Sequence, residues 1–302
     1  MVPEVLSVLS DRGKKDERDL KDLRDTKLAA METSADIPEK PSRRKANRLD
    51  GKRWIQNSIS VWGDIRKSPE ELKFKHPAMF PGQLVERLID SFLPPDGLVV
   101  LDPFSGSGST VCTAARLGLQ GIGLELAPEY VQLGRARLAE ISSTAGSQIH
   151  QSPATEVTRY AQPDSVDLCI TSPPYWNILN QRRTADLKSV RHYGNLPDDL
   201  GTIDDYEVFL EALATVFQQV LITLKPRAYC CVVVMDLRKR DQFFPFHSDL
   251  ATRLQQIGYK YDDLIIWNRQ SEYNNLRPLG YPSVFRVNKV HEFVLLMQKP
   301  AL

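Results

Sequence analysis

From residue 97 onward, short apolar runs alternate with segments of helical period, and this alternation leaves few folds open. GLVVLDPF (97–104) is an apolar run that ends in a Gly/Ser loop, and TVCTAARLG (110–118) has helical spacing with a glycine stop. LQGIGLEL (119–126) reads as a second strand, and PEYVQLGRARLAEI (128–141) as a second helix with Pro128 near its start. SVDLCITS (165–172) is a third strand. A long amphipathic helix follows over 205–226, then a strand at 228–236 and a helix at 246–259. DDLIIWN (262–268) and HEFVLLMQK (291–299) close the series. Runs that are apolar at successive positions are buried on both faces. The pattern therefore predicts an α/β fold, a mostly parallel sheet with helices on both sides. The last two strands have no helix between them, which predicts an antiparallel pair at one edge. No internal repeat is visible.

Residues 1–55 read differently. DRGKKDERDLKDLRDTK is dense in mixed charge and has no aromatic residue. Such a stretch buries too little apolar surface to offset its ordering entropy, so we expect a charged, disordered arm with at most a short helix at 11–31. Between Lys40 and Arg53 it holds seven basic residues and one acid. That segment reads either as a solvated tail or as an arm on phosphates. Residues 56–302 form the expected catalytic domain. The net charge is +1, so binding to a polyanion requires a local patch rather than a whole-chain field. Cys112, Cys169, Cys230 and Cys231 lack CxxC spacing, and three sit in apolar runs, which points to buried thiols rather than zinc ligands or disulfides. No secretory h-region or run of about 18 apolar residues is present, and the expected location is cytoplasmic.

VVLDPFSGSGST joins a strand, an acid at its carboxyl end, a Gly-rich turn and a helix start. In open α/β sheets, ligands bind at that end of the strands. Gly106 and Gly108 permit a tight turn, and the helix start at Ser109 and Thr110 offers free N–H groups. A GxG after a strand suits NAD, FAD, nucleotides or S-adenosylmethionine. The full GxGxxG is absent, and no GKS/T follows, which excludes a P-loop. Glu125 ends the second strand, where a carboxylate can accept both ribose hydroxyls. Its alternative reading is an acid at the start of the next helix, and that of Asp102 is a loop cap.

The third strand stops in TSPPYWN (171–177). Prolines cannot donate to a sheet ladder, so the chain must leave the sheet here. Two prolines and two rings beside a ligand crevice suit chemistry on an exocyclic amine. Such an amine is a poor nucleophile because its lone pair is delocalised into the ring. Acceptors that grip its hydrogens free that lone pair, and a proline carbonyl is a rigid acceptor. The Ser172 hydroxyl can accept as well, or donate to ring N3 of a cytosine. Tyr175 offers a face for an extruded base, and the base must leave the duplex first. Trp176 reads either as a further platform or as core packing at the sheet end.

These segments resemble those of the DNA amino-methyltransferases that act on cytosine N4 or adenine N6. TSPPY is similar to their motif IV, DPFSGSGST to motif I, GIGLELAPEY to motif II and FKHPAMFP to motif X, in the order X, I, II, IV. The likeness runs from about Ser60 to Lys299. It implies the Rossmann-like class I methyltransferase fold, a seven-stranded sheet with one antiparallel strand, and S-adenosyl-L-methionine as cofactor. It implies cofactor contacts from Asp102, Pro103, Phe104, Ser105, Gly106, Gly108, Ser109 and Thr110, with Glu125 and Leu126 at the ribose. His76, Pro77 and Phe80 would border the methionine end. The catalytic set would be Ser172, Pro173, Pro174 and Tyr175, and a leading serine is more typical of cytosine-N4 than of adenine-N6 enzymes. Double-stranded DNA is the implied partner, with a cognate restriction endonuclease where the enzyme works in such a pair.

Two departures stand out. Relatives carry an acid where IHQSPATEV has Ser152, so the cofactor's adenine would be held there by the serine hydroxyl or by backbone. No separate recognition domain of the usual size is present. Sequence reading would fall to segments 177–202, with Arg182, Arg183, Lys188, Arg191 and His192, and 268–290, with Arg269 and Arg277. Arginine there reads guanine, contacts phosphate or is a solvated loop charge. The alternative is an adenine-N6 DNA methyltransferase, and after it an RNA base methyltransferase. A nicotinamide oxidoreductase gives no reason for SPPY, and a non-catalytic binder gives none for an intact SPPY and motif I together.

Overall fold

The computed structural model describes residues 45–73, 79–142, 145–177, 196, 198–272, 276 and 278–301. The chain divides into two units, Met1–Arg44 and Lys45–Leu302, and all described residues belong to the second.

Eight strands form one sheet in the order β1-β9-β10-β6-β5-β2-β3-β4. β2 (Val99–Asp102), β3 (Gln120–Glu125) and β4 (Gln148–Gln151) run outward on one side. The chain then returns to the other side of β2 as β5 (Val166–Thr171), followed outward by β6 (Leu224–Val234). The point where the winding reverses therefore lies between β2 and β5, and there the loops leaving adjacent strands part to open a crevice.

β9 (Lys260–Asn268) and β10 (His291–Gln298) are antiparallel, as the lack of a helix between them predicts. Their place is a correction. β10 sits inside the sheet, antiparallel to both β9 and β6, rather than at an edge. The edge is β1 (Val61–Trp62), a two-residue strand parallel to β9. Sequence periodicity reports burial but not which neighbour a strand takes, and β10 is apolar enough on both faces to be interior.

Alternation across the pleat builds two cores. Cys169, Cys230, Val232, Val234 and Leu295 face one way, under α6 (Tyr206–Thr223) and α7 (Phe246–Gln256). Leu168, Ile170, Cys231, Val233 and Val294 face the other, under α2 (Gly82–Phe92). All four cysteines are buried and free. A smaller cluster joins α3 (Ser109–Arg116) to α4 (Pro128–Ala139) through Val111, Cys112, Val131 and Ile149. Between α4 and β5, α5 (Val157–Tyr160) is a single turn.

Residues 45–57 behave unlike the expected arm. Asn47 Nδ2 donates to the Ser91 carbonyl at 3.0 Å and Arg48 to that of Gly97 at 2.8 Å. Asp50 caps α1 (Gly51–Asn57) by accepting from Arg53 N at 2.7 Å. These polar anchors are invisible to a reading based on apolar content. After β6 the chain forms a hairpin of β7 (Leu237–Lys239) and β8 (Gln242–Phe244), which its run of charge, LRKRDQFF, concealed. Among the described residues no helix is long and apolar enough to cross a membrane.

Candidate functional site

The switch point brings two separate motifs together. Asp102 ends β2 and Thr171 ends β5, and Thr171 Oγ1 donates to Asp102 Oδ1 at 2.6 Å. Phe104 N donates to the same oxygen at 3.0 Å. Thr110 Oγ1 donates to the Ile170 carbonyl at 3.3 Å, so the start of α3 is pinned to β5 as well. Asp102 is 1% exposed, and burial pushes its pKa up to about 6 against the opposing Thr171 hydrogen bond.

The Gly-rich turn has the backbone its sequence demands. Gly106 and Gly108 have φ of 51° and 81°. A Cβ on Gly108 would also lie 2.8 Å from Ile149 Cδ1. The turn closes with Gly108 N donating to the Ser105 carbonyl at 2.8 Å. Pro103, Ser105, Ser109 and Thr110 are buried, whereas Phe104 and Gly106 are half-buried. Glu125, at the end of β3, accepts from Gly106 N on Oε2 and from Ala127 N on Oε1, each at 2.8 Å. Burial pushes its pKa up to about 7. Leu126 follows it, half-buried. Both acids are raised in the fold. Their contribution to stability is present below about pH 4 and is lost as pH rises through about 6 and 7.

This cradle fits the amino-acid and ribose parts of S-adenosyl-L-methionine. Asp102 Oδ2, Ser105 Oγ and Ser109 Oγ are buried without hydrogen-bond partners among the described residues. An ammonium and a carboxylate would satisfy such a set, and leaving it unmade costs about 1–3 kcal/mol per group. Each Glu125 oxygen makes one backbone hydrogen bond and keeps a second lone pair for a hydroxyl. Ser152, 4% exposed, donates to Glu156 Oε2 at 2.9 Å. Its oxygen is thereby left as an acceptor, and Glu156 also pairs with Arg159 at 3.2 Å.

SPPY lies at the carboxyl end of β5, beside this cradle. Pro173 is buried, while Ser172, Pro174 and Tyr175 are half-buried. Ser172 Oγ is 3.3 Å from Tyr175 Oη, which donates to Glu292 Oε2 at 3.0 Å. The Tyr175 ring meets Phe246 edge-on at 6.4 Å. Burial, then the Glu292 charge, holds the phenol well above its ordinary pKa, so it stays protonated.

Two residues read as DNA contacts are placed otherwise. Trp176 is 5% exposed, packs on Tyr206 and Phe244 at 5.2 and 5.0 Å, and carries Lys239 Nζ over its ring at 3.9 Å. With its surfaces so occupied it serves as core, not as a base platform. Arg269 pairs with Glu292 and Glu272 and lies over Trp267, so its guanidinium is committed within the protein. Its partner Glu292 is 23 positions away, too far for a local reading to find. Phe80 is buried in the cluster under α2. His76, Pro77, Arg182, Arg183, Lys188, Arg191, His192 and Arg277 lie outside the described residues.

Residues 4–136 and 166–301 match the family described as DNA methylase, the N6_N4_Mtase group. The type II methyltransferase M.ScaI of Streptomyces caespitosus is 36% identical over 105 residues, covering 32% of this chain and 34% of that protein. M2.DpnII, a type II methyltransferase of Streptococcus pneumoniae, is 40% identical over 85 residues, 28% of this chain and 31% of its own length. The aligned stretches thus span about a third of these relatives. TTHA0409 of Thermus thermophilus, solved in complex with S-adenosyl-L-methionine, is 30% identical with a TM-score of 0.35, over 49% of this chain and 53% of that one. The mostly parallel sheet and its switch point are those of the Rossmann-like class I methyltransferase fold, and the chain belongs to the S-adenosyl-L-methionine-dependent DNA methylase family of N4-cytosine and N6-adenine enzymes.

Proposed function

We propose that this chain is a site-specific DNA methyltransferase that methylates the exocyclic N4 amine of cytosine, extruded from a short duplex site. The observation that carries the reading is the meeting of SPPY and the cradle across the switch point, joined by the Thr171–Asp102 hydrogen bond of 2.6 Å. When bound, S-adenosyl-L-methionine supplies an electrophilic methyl group on a sulfonium. Asp102 is suited to receive the cofactor's ammonium, Ser105 and Ser109 its carboxylate, and Glu125 its ribose hydroxyls. Ser172 and the Pro173 carbonyl would accept from the substrate amine, which frees its lone pair for in-line attack. The amine gains the methyl group and gives up one proton to solvent. Tyr175 would carry the flipped base on its face, and stacking of this kind contributes about 1–3 kcal/mol.

The loops on the same side of the sheet suit a phosphate backbone. The β7–β8 hairpin exposes Arg238 and Arg240, and Arg238 lies over Phe243. Lys289 Nζ covers the same ring at 4.8 Å, which brings the 278–290 segment to the hairpin. Phe285 in that segment is 92% exposed. A basic, aromatic rim on a chain of net charge +1 is a local polyanion footprint.

The direct test is incubation with S-adenosyl-L-methionine and unmethylated genomic DNA, followed by nucleoside mass spectrometry. N4-methylcytosine is the expected product. N6-methyladenine would keep the mechanism and overturn the choice of base, and methyl transfer confined to RNA would overturn the DNA substrate. A second expectation concerns pH. Ribose hydroxyls favour the ionised form of Glu125, whose pKa in the free protein is about 7. Cofactor affinity should be flat above about pH 8 and weaken by about tenfold between pH 8 and 6, with proton release on binding. Calorimetry at the two pH values reads both, and equal affinities would remove Glu125 from the site.

A further inference from the structure

Five polar side chains are linked in series from the proposed amine acceptor: Ser172, Tyr175, Glu292, Arg269 and Glu272. Ser172 Oγ is 3.3 Å from Tyr175 Oη, and Tyr175 Oη is 3.0 Å from Glu292 Oε2. Glu292 Oε1 pairs with Arg269, which also donates to Glu272 Oε2 at 2.7 Å. Glu292 sits near the head of β10 and is 6% exposed. An ionised carboxylate can only accept hydrogen bonds. Tyr175 has one proton, so that proton must go to Glu292. The phenolic oxygen is then left as an acceptor, and the donor beside it is the Ser172 hydroxyl. Ser172 has one proton too. Once it points at Tyr175, only lone pairs remain toward the crevice.

We propose that Glu292, held by Arg269, is a positioning residue that fixes the direction of this chain and makes Ser172 an acceptor toward the substrate. The proposal rests on the reading of SPPY as the amine site, and it decides between the two roles open to the serine. With its one proton turned to the Tyr175 oxygen, Ser172 has none left to donate to ring N3. It follows that a base presenting an amine edge is accepted and one presenting a carbonyl at the same place is refused, since lone pairs would face lone pairs. The device thus separates cytosine from thymine at the reacting position.

The test uses the full chain with Glu292→Gln, Tyr175→Phe and both together. A glutamine amide can donate to Tyr175, so the direction of the chain is released while the hydrogen-bonded contact survives. With parental methylation of DNA established first, Glu292→Gln should lower kcat about tenfold, with the KM for S-adenosyl-L-methionine within about twofold. Tyr175→Phe should show a loss of similar size, and the double variant should be no worse than either single one. Parental activity in Glu292→Gln would overturn the proposal. So would losses that multiply in the double variant, or a loss tracking a lower unfolding temperature and a raised cofactor KM. A parental protein that methylates no DNA would instead overturn the amine-site reading, and the proposal with it.

Discussion

Tyr175→Ala is expected to lower kcat on DNA about 100-fold while leaving the affinity for S-adenosyl-L-methionine within about twofold. The loss should exceed that of Tyr175→Phe, because alanine removes the stacking face as well as the hydroxyl. The ring lies beside the cradle rather than in it. Its hydroxyl is spent on Ser172 and Glu292, and its edge meets Phe246 at 6.4 Å. None of these contacts reaches the Gly-rich turn, so binding and turnover should separate. Calorimetry for the cofactor and single-turnover kinetics on unmethylated DNA measure the two independently. Equal rates for variant and parent would remove SPPY from the chemistry, and a parallel loss of cofactor binding would place Tyr175 in the cradle.

Asp102→Ala should give the opposite split, weakening cofactor affinity at least about 100-fold. The stability of the free protein should meanwhile hold or rise at pH 7. The reason is the environment. A carboxyl raised from 3.8 to about 6 by burial costs the ionised fold on the order of 3 kcal/mol at neutral pH. Removing it relieves that cost and forfeits the bonds from Thr171 and Phe104, each contributing roughly 1–2 kcal/mol. The site is thus held in a state its own fold disfavours until a cation arrives. Thermal unfolding with and without cofactor reads both effects. A free variant much less stable than the parent would show Asp102 to be structural, and undiminished cofactor stabilisation would exclude it from binding.

What the sequence made legible follows from where the chemistry lies. Asp102, Glu125 and SPPY stand at strand ends next to glycine or proline, and such breaks are written locally. β2, β3 and β5 fall within a few residues of the runs that announced them. What was hidden depends on residues distant in the chain. Trp176 reads equally as a base platform or as core packing until Tyr206 and Phe244 are seen to close over it. Arg269 reads as a nucleic-acid contact until Glu292 is seen beside it. The interior position of β10 is a matter of pairing partners, which a pattern of apolar residues does not encode. The anchors of Asn47 and Arg48 likewise need the Ser91 and Gly97 carbonyls that receive them.

The placement of β10 between β9 and β6 has a bearing on when the enzyme can become competent. In sequence β10 follows every other described strand, yet it bridges the sheet and delivers Glu292 to Tyr175. A chain ending before residue 291 would contain the segments of the cradle and the Pro-Pro turn, but neither the strand that links β9 and β1 to the remainder and fills both cores with Val294, Leu295 and Met297, nor the carboxylate proposed to orient Ser172. During synthesis, the segments of the cradle therefore emerge well before the strand on which the sheet closes. The two cores close only once this last described strand is made, so the motifs on β2 and β5 gain their full support late.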